Sequence, residues 1–393
     1  MRNSAKTIKM TTVLCTGFVL ALSAQMARET RGKGRSSGWD LRRKHRAGQG
    51  ASETAPSEAG PPTARELFNK YTDALNAVRS FIAKEQSVKK LDYAFDRDFS
   101  DRSVAGLKRQ GQRQYSRGQT RTDGKRLHLR RYSWGNLGPA HGDVDETRAH
   151  YNSQNWDGVT AYSHAGNVKV PGVITLVQPP KSESHVYESM SRQPPVSYLV
   201  GYNMESDKRM DSILRKAENI SVSSKMENVG GSDCYVIRAK TDQGMMSLWI
   251  DPAHGYNLAK VEARLSQGDL AFGYQLKRGE SRLTRLKNVR FKKVDGVWVP
   301  IEADVSQHRN YGKGTVREDY HYKRTEFVLN PDHDALGSFD NPIENPKNDP
   351  ELKNGTDIRR LGDPNTYVWQ DGKLAPYERS DMPRSNATPK GCR

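Results

Sequence analysis

Residues 233–305 constrain the fold more than any other stretch, because they read as strand, tight turn, strand, several times over with hardly a helix signal. DCYVIRAK runs into Thr241-Asp242-Gln243-Gly244, MMSLWID into Pro252-Ala253-His254-Gly255-Tyr256-Asn257, and LAKVEARL into Gln267-Gly268-Asp269. Each turn is rich in residues that tolerate positive φ or bend the chain. In VRFKKVDGVWVPIEADV, Asp295-Gly296 separates two runs that hold β-branched and aromatic residues, the strongest short-range hairpin signal. Ser, His, Asp and Cys are scattered through this meander without a spacing that builds a nucleophile, a metal site or a phosphate loop.

Period-2 alternation then separates two faces. Val299, Ile301, Ala303 and Val305 alternate with Pro300, Glu302, Asp304 and Ser306, and Val261, Ala263 and Leu265 alternate with Lys260, Glu262 and Arg264. Leu270, Phe272, Tyr274 and Leu276 do the same, as do Leu248 with Ile250 and Val289 with Phe291. A large antiparallel sheet with one apolar face has to cover that face. Helices supply the cover. Thr63-Ala64-Arg65-Glu66 matches a capping box, and the helix after it lines Leu67, Tyr71, Leu75 and Val78 along one stripe. A second short helix is expected over 207–217, where Met210, Ile213, Leu214 and Ala217 share a face. The class is therefore α+β, with two or three helices over a sheet. Either the helices fill its concavity, or the sheet curves further and leaves an apolar cavity.

The ends of the chain read differently. Arg2, Lys6 and Lys9 precede the uncharged, mostly apolar Met10 to Leu22, the pattern of a signal peptide over 1–24, with cleavage near Ser23 or Ala24. That run is shorter than the roughly 20 residues a membrane span needs. Residues 25–62, rich in Gly, Ser, Ala and Arg, read as a disordered basic spacer. Of the net charge of +17, residues 1–63 carry +7, from 11 Lys/Arg against 4 Asp/Glu. The remaining +10 is spread over more than three hundred residues, which argues against nucleic acid as a partner of the folded part. Cys234 falls in a strand and Cys392 in the tail; a disulfide between them and two free thiols both remain open. Residues 331–393 read as a mostly irregular extension with several Asn-Pro and Asp-Pro steps, although 366–373 has the pattern of one hairpin.

Enzymatic material is thin. Asp332-His333-Asp334, His254, His308 and His321 are the best candidates for acid-base or metal chemistry, but they sit in a turn or near strand ends. Gly312-Lys313-Gly314 lacks the following helix that would aim N–H groups at an anion. No catalytic residue, metal or cofactor is assigned from the sequence.

The order of leader, amphipathic helix ending near Val78-Arg79-Ser80-Phe81, polar meander, then CYVIRAK, SLWIDPAHGYNLAKVE and FKKVDGVWVP resembles the LolA-like proteins, the lipoprotein carrier and sorting group of the bacterial envelope. The resemblance covers residues 64–329 and rests on strand and turn signatures, chiefly Leu248-Trp249-Ile250-Asp251-Pro252 before Gly255-Tyr256 with Lys260 on the returning strand. It implies a half-barrel domain over 63–330, a strongly curved antiparallel sheet forming an incomplete β-barrel closed by helices around a cavity for acyl chains. It also implies a periplasmic, non-catalytic carrier of a lipid or acylated lipoprotein, with an envelope membrane protein as partner. The ligand-facing residues would then be Leu67, Tyr71, Leu75, Leu248, Ile250, Val261, Leu265, Phe272, Tyr274, Phe291, Val299 and Ile301. The spacer, the stretch 171–201 and the long tail depart from the simple carrier pattern. An envelope- or wall-associated interaction module and a hydrolase are the alternatives.

Overall fold

The computed structural model describes residues 62–101, 104–136, 146–177, 199, 201–203, 205–206, 208–360 and 362–377. The leader, nearly all of the spacer, and Cys392 lie outside them. Two compact units are distinguished, Ser100–Ala105 belonging to the first, and Pro61–Phe99 with Gly106–Arg393 forming the second. In the first, the N–H groups of Val104 and Ala105 donate to the Asp101 carbonyl at 3.2 and 3.0 Å, closing a turn.

The second unit opens with α1 (Ala64–Ala77), then β1 (Phe81–Phe95), β2 (Lys108–Thr122), β3 (Leu127–Asn136), β4 (His150–Trp156), β5 (Ala161–Asn167) and β6 (Val170–Val177). A five-residue helix, α2 (Met210–Leu214), leads into β7 (Asn219–Val222), β8 (Glu227–Val229), β9 (Ser232–Thr241), β10 (Gly244–Asp251) and β11 (Asn257–Leu265). The short pair β12 (Leu270–Ala271) and β13 (Tyr274–Gln275) forms its own sheet. Then come β14 (Glu280–Val294), β15 (Val297–Tyr311), β16 (Gly314–Leu329), β17 (Asp357–Arg360), β18 (Thr366–Gln370) and β19 (Lys373–Pro376).

Seventeen of these strands make one sheet. Laterally, β7 and β8 pair with one side of β9, and the order continues β10, β11, β14, β15, β16, β1, β2, β3, β4, β5, β6, β17, β18, β19. All pairings are antiparallel except β6 with β17. Among the described residues no ladder joins β19 back to β7 or β8, so the sheet is open.

This overturns the expected strongly curved half-barrel closed by two or three helices: the sheet neither closes nor curls, and it is mixed rather than purely antiparallel. The reason is a mismatch of lengths. At ~4.8 Å between strands, the lateral order runs to about 70 Å along its contour. A 14-residue helix reaches only ~21 Å, enough for about four strands.

Local rules held where they were strong. Thr63 caps α1, with the Glu66 N–H donating to Thr63 Oγ1 at 3.3 Å and the Thr63 N–H donating to Glu66 Oε2 at 2.7 Å. Asp295 and Gly296 take φ of 48° and 82°, the doubly left-handed turn that Asp-Gly favours. None of the described helices is long and apolar enough to cross a membrane.

Candidate functional site

The site is built on the face of β9 to β16 that lies under α1. One cross-strand row reads Ile237, Leu248, Val261, Leu286, Val305, Tyr320. The first five are fully or almost fully buried. From α1, Leu67, Phe68, Tyr71 and Leu75 pack on this row, and Met210, Ile213 and Leu214 of α2 complete the cluster. A space of only about 10 Å³ remains, bordered by Tyr71, Leu75, Leu199, Leu258, Leu286 and Phe291, with Asn257 and Pro300 at its margin. That is about the room of one water molecule.

The next row on the same face changes character along its length. It reads Ala239, Met246, Ala263 on β9 to β11, then Thr284, Gln307, Glu318 on β14 to β16. Over the polar half sits Glu205, with no exposed surface. Its carboxylate pairs with the Arg282 guanidinium, accepts from Thr284 Oγ1 at 3.4 Å and Gln307 Nε2 at 3.5 Å, and lies 3.9 Å from Arg309 Nε. Arg309 reaches on to Glu318 at 3.4 Å, and Glu318 pairs with Lys89 at 3.1 Å. Burial works against charge on Lys89, but Tyr320 and Glu318 outweigh it and keep the ammonium protonated well above its ordinary range. Burial likewise opposes the Glu318 carboxylate, and Lys89 and Arg309 reverse that and hold its pKa low.

A second buried centre lies on the opposite face of the far strands. Tyr151 and Tyr162 donate to Asp349 at 2.5 and 2.6 Å, and His164 Nδ1 lies 2.7 Å from the same carboxylate. Burial raises the pKa of Asp349, but the hydrogen bonds from His164 and the two tyrosines prevail and hold it below the usual carboxylate range. Beside it, Asn155 Nδ2 donates to the Phe339 carbonyl at 2.9 Å, and His128 Nδ1 lies 3.3 Å from the Ser338 carbonyl. These contacts fasten residues 338–349 onto β3, β4 and β5.

Of the twelve residues expected to face a ligand, Leu67, Tyr71, Leu75, Leu248, Ile250 and Val261 meet in the cluster under α1. Phe291 borders the residual space and stacks on His254 with ring centres 4.7 Å apart. Leu265 and Tyr274 pack with Ala271 and Leu276 at the end of β11. Val299 and Ile301 join Val78 and Leu329 in another cluster, and Phe272 is half-buried in the β12–β13 turn at φ 49°. The structure thus divides the set among separate packing groups.

Sequence reasoning missed the Glu205 network and the Asp349 centre, whose partners lie 77 to 198 residues away in the chain. Their only local signals were inward-facing Thr284 and Gln307 in an otherwise apolar register, and tyrosines at 151 and 162 in polar strands. Among the described residues no group of three or more His, Cys, Asp and Glu could hold a metal ion. Cys234 is a free, buried thiol whose pKa burial pushes up to about 12.

No family model and no curated protein matches the chain. It is similar to the solved structure of the ywiB protein from Bacillus subtilis at 6% identity, over 62% of this chain and 94% of that chain, with a TM-score of 0.18. It is similar to MucB, solved in complex with MucA(peri), at 10% identity over 68% of this chain and 100% of that chain, with a TM-score of 0.19. Likenesses this slight leave the chemistry of the site to be argued from its own residues.

Proposed function

We propose that the protein is an exported, non-catalytic binding module that captures the apolar part of a lipid or acylated ligand between α1 and the sheet. Export is supported by the leader pattern at residues 1–24. The observation that carries the reading is the unbroken apolar row from Ile237 to Val305, covered over part of the sheet by one helix. In the present arrangement the space beneath that helix holds no chain, so capture requires α1 to lift. The polar ties around it favour such movement. Lys70 donates to Tyr256 at 2.8 Å from an exposed position, while Thr72 to Asp211, Arg215 to Thr72 and Arg209 to Asn76 are long contacts of 3.3 to 3.4 Å. What otherwise holds α1 is apolar burial, which an acyl chain restores at about 0.8 kcal/mol per buried CH₂.

The test is uptake of a fluorescent fatty acid by the delipidated mature protein, with Leu248→Asp as the variant that charges the floor of the site. Saturable uptake by the parent and loss in a still-folded variant is the expected result. A parent that takes up nothing would make α1 a permanent part of the core and end the acyl reading.

A further inference from the structure

The charge from residue 64 onward, which reads as thinly spread when averaged over the whole stretch, falls mostly in one hairpin, a correction to the even distribution expected from the sequence. Residues from 64 onward carry +10, and Lys108–Asn136 alone holds nine Lys/Arg against one Asp, a net of +8. Register then sorts these cations. On β1, Phe81, Ala83 and Glu85 are buried, whereas Lys84, Gln86, Val88 and Lys90 point to the other, exposed face. Their partners on β2 are Gln119, Arg117, Tyr115 and Arg113, and beyond Gln119, Arg117 and Tyr115 lie Arg130, Tyr132 and Trp134 of β3. Arg121 continues the same line. Arg113, Arg117 and Arg121 therefore recur every four residues, about 13 Å apart, along one face that is exposed at Arg113 and Arg117 and half-buried at Arg121.

Half of the six cations on this face have a carboxylate partner among the described residues. Arg117 pairs with Glu146 at 2.6 Å, Lys84 with Glu326 at 2.8 Å, and Lys90 lies 3.7 Å from Asp92. Among the described residues no carboxylate pairs with Arg113, Arg121 or Arg130. Arg121 donates to the Gln119 amide oxygen at 3.0 and 3.2 Å, and stands close enough to Arg130 that burial and that like charge both lower its pKa. Two guanidiniums set side by side without a carboxylate are what an anionic group relieves, because the planar fork matches carboxylate, sulfate and phosphate oxygens in pairs. Farther along the same face, beyond the Arg117–Tyr132 row and beside Arg113, Tyr115 and Trp134 stack with ring centres 6.4 Å apart, and Tyr115 keeps 37% of its surface exposed.

We infer that this face docks a linear anionic glycan, its charged groups paired with Arg113, Arg121 and Arg130 and a sugar ring lying on the Tyr115–Trp134 stack. The cations form an open line rather than a pocket, which fits a polymer. Tyr132 on the same face lies under the Arg117 guanidinium at 5.5 Å and packs on Tyr151, which Asp349 holds in a buried site, so among the described residues the Tyr115–Trp134 pair is the open stacking platform, whereas single-stranded nucleic acid is held by successive platforms. A membrane surface calls for a broad apolar patch, and among the described residues the large apolar side chains exposed along this line are Val88, Tyr115 and Val328. The choice of a glycan over other polyanions rests on the export reading; docking on this face does not depend on capture beneath α1.

Full-length mature protein is titrated with polygalacturonate, dextran sulfate and neutral dextran over a series of salt concentrations, alongside a single-stranded oligonucleotide and phosphatidylglycerol vesicles. The parent is expected to bind at least one acidic glycan and not the neutral one. Arg121→Gln with Arg130→Gln should weaken binding at least tenfold and flatten its salt dependence, since fewer counterions are released. Tyr115→Ala should weaken it several-fold at unchanged salt dependence, and Arg290→Gln, at an exposed position of β14, should leave it unchanged. The inference is overturned by parental affinity in the double variant, by equal loss in Arg290→Gln, or by tighter binding to the oligonucleotide or the vesicles than to either acidic glycan. Fatty-acid uptake, measured on the same variants, should be unaffected, which separates this site from the one under α1.

Discussion

A single carboxylate, that of Glu205, decides how the sheet face under α1 is divided. A buried ion costs several kcal/mol unless it is paired and fully hydrogen-bonded, and Glu205 meets Arg282, Thr284, Gln307 and the edge of Arg309. Replacing it leaves Arg282, itself only 6% exposed, as an uncompensated charge. Glu205→Ala is therefore expected to destabilise by about 3–5 kcal/mol in urea unfolding, and Glu205→Gln by clearly less because the amide still accepts. Equal stability of parent and Ala variant would show that Arg282 finds another partner. In the sequence, this residue stands between Met204 and Ser206 in a stretch without periodicity, so nothing local marked it.

Elements were legible where one strong local rule acted alone. The Thr63 capping box, the Asp295-Gly296 turn and the alternation in β10, β11 and β15 each depend on neighbours within a few residues, and each is present as expected. Thr63→Ala should cost about 1 kcal/mol of stability, read as a lower urea midpoint. If α1 is the mobile cover, the same variant also takes up a fluorescent fatty acid faster than the parent; an unchanged rate would place the barrier elsewhere. Strand length was harder to read. β1 runs from Phe81 through Phe95 because pairing with both β2 and β16 continues across residues whose side chains are neither clearly apolar nor alternating. Likewise α2 spans only Met210–Leu214.

At the scale of the whole molecule, the far half of the sheet depends on residues 338–349 lying over β3, β4 and β5. Their attachment is pH-sensitive through His128, whose pKa burial, aided by Arg121 and Arg130, pushes down to about 4. A histidine with a depressed folded pKa stabilises fully above its unfolded value near 6.5, and loses that contribution as pH falls toward 4. The loss amounts to roughly 3 kcal/mol. Unfolding free energy should therefore decline between pH 6.5 and 4, with faster amide exchange in 338–349, and His128→Asn should flatten that decline; a flat parental profile would contradict it. Asp349, held below the usual range, adds a loss in the same direction only at still lower pH. The sequence by itself determined the local pieces: the capped helix, the Asp295-Gly296 turn and the apolar alternation of β10, β11 and β15. Those follow from side-chain sterics and hydrogen bonds between near neighbours. Only the tertiary structure decided that the strands join into one open sheet, that α1 covers part of it and fills the space beneath, and that Glu205 and Asp349 find their partners. Each of these depends on pairings across 77 or more residues, whose free energy arises only when distant strands meet.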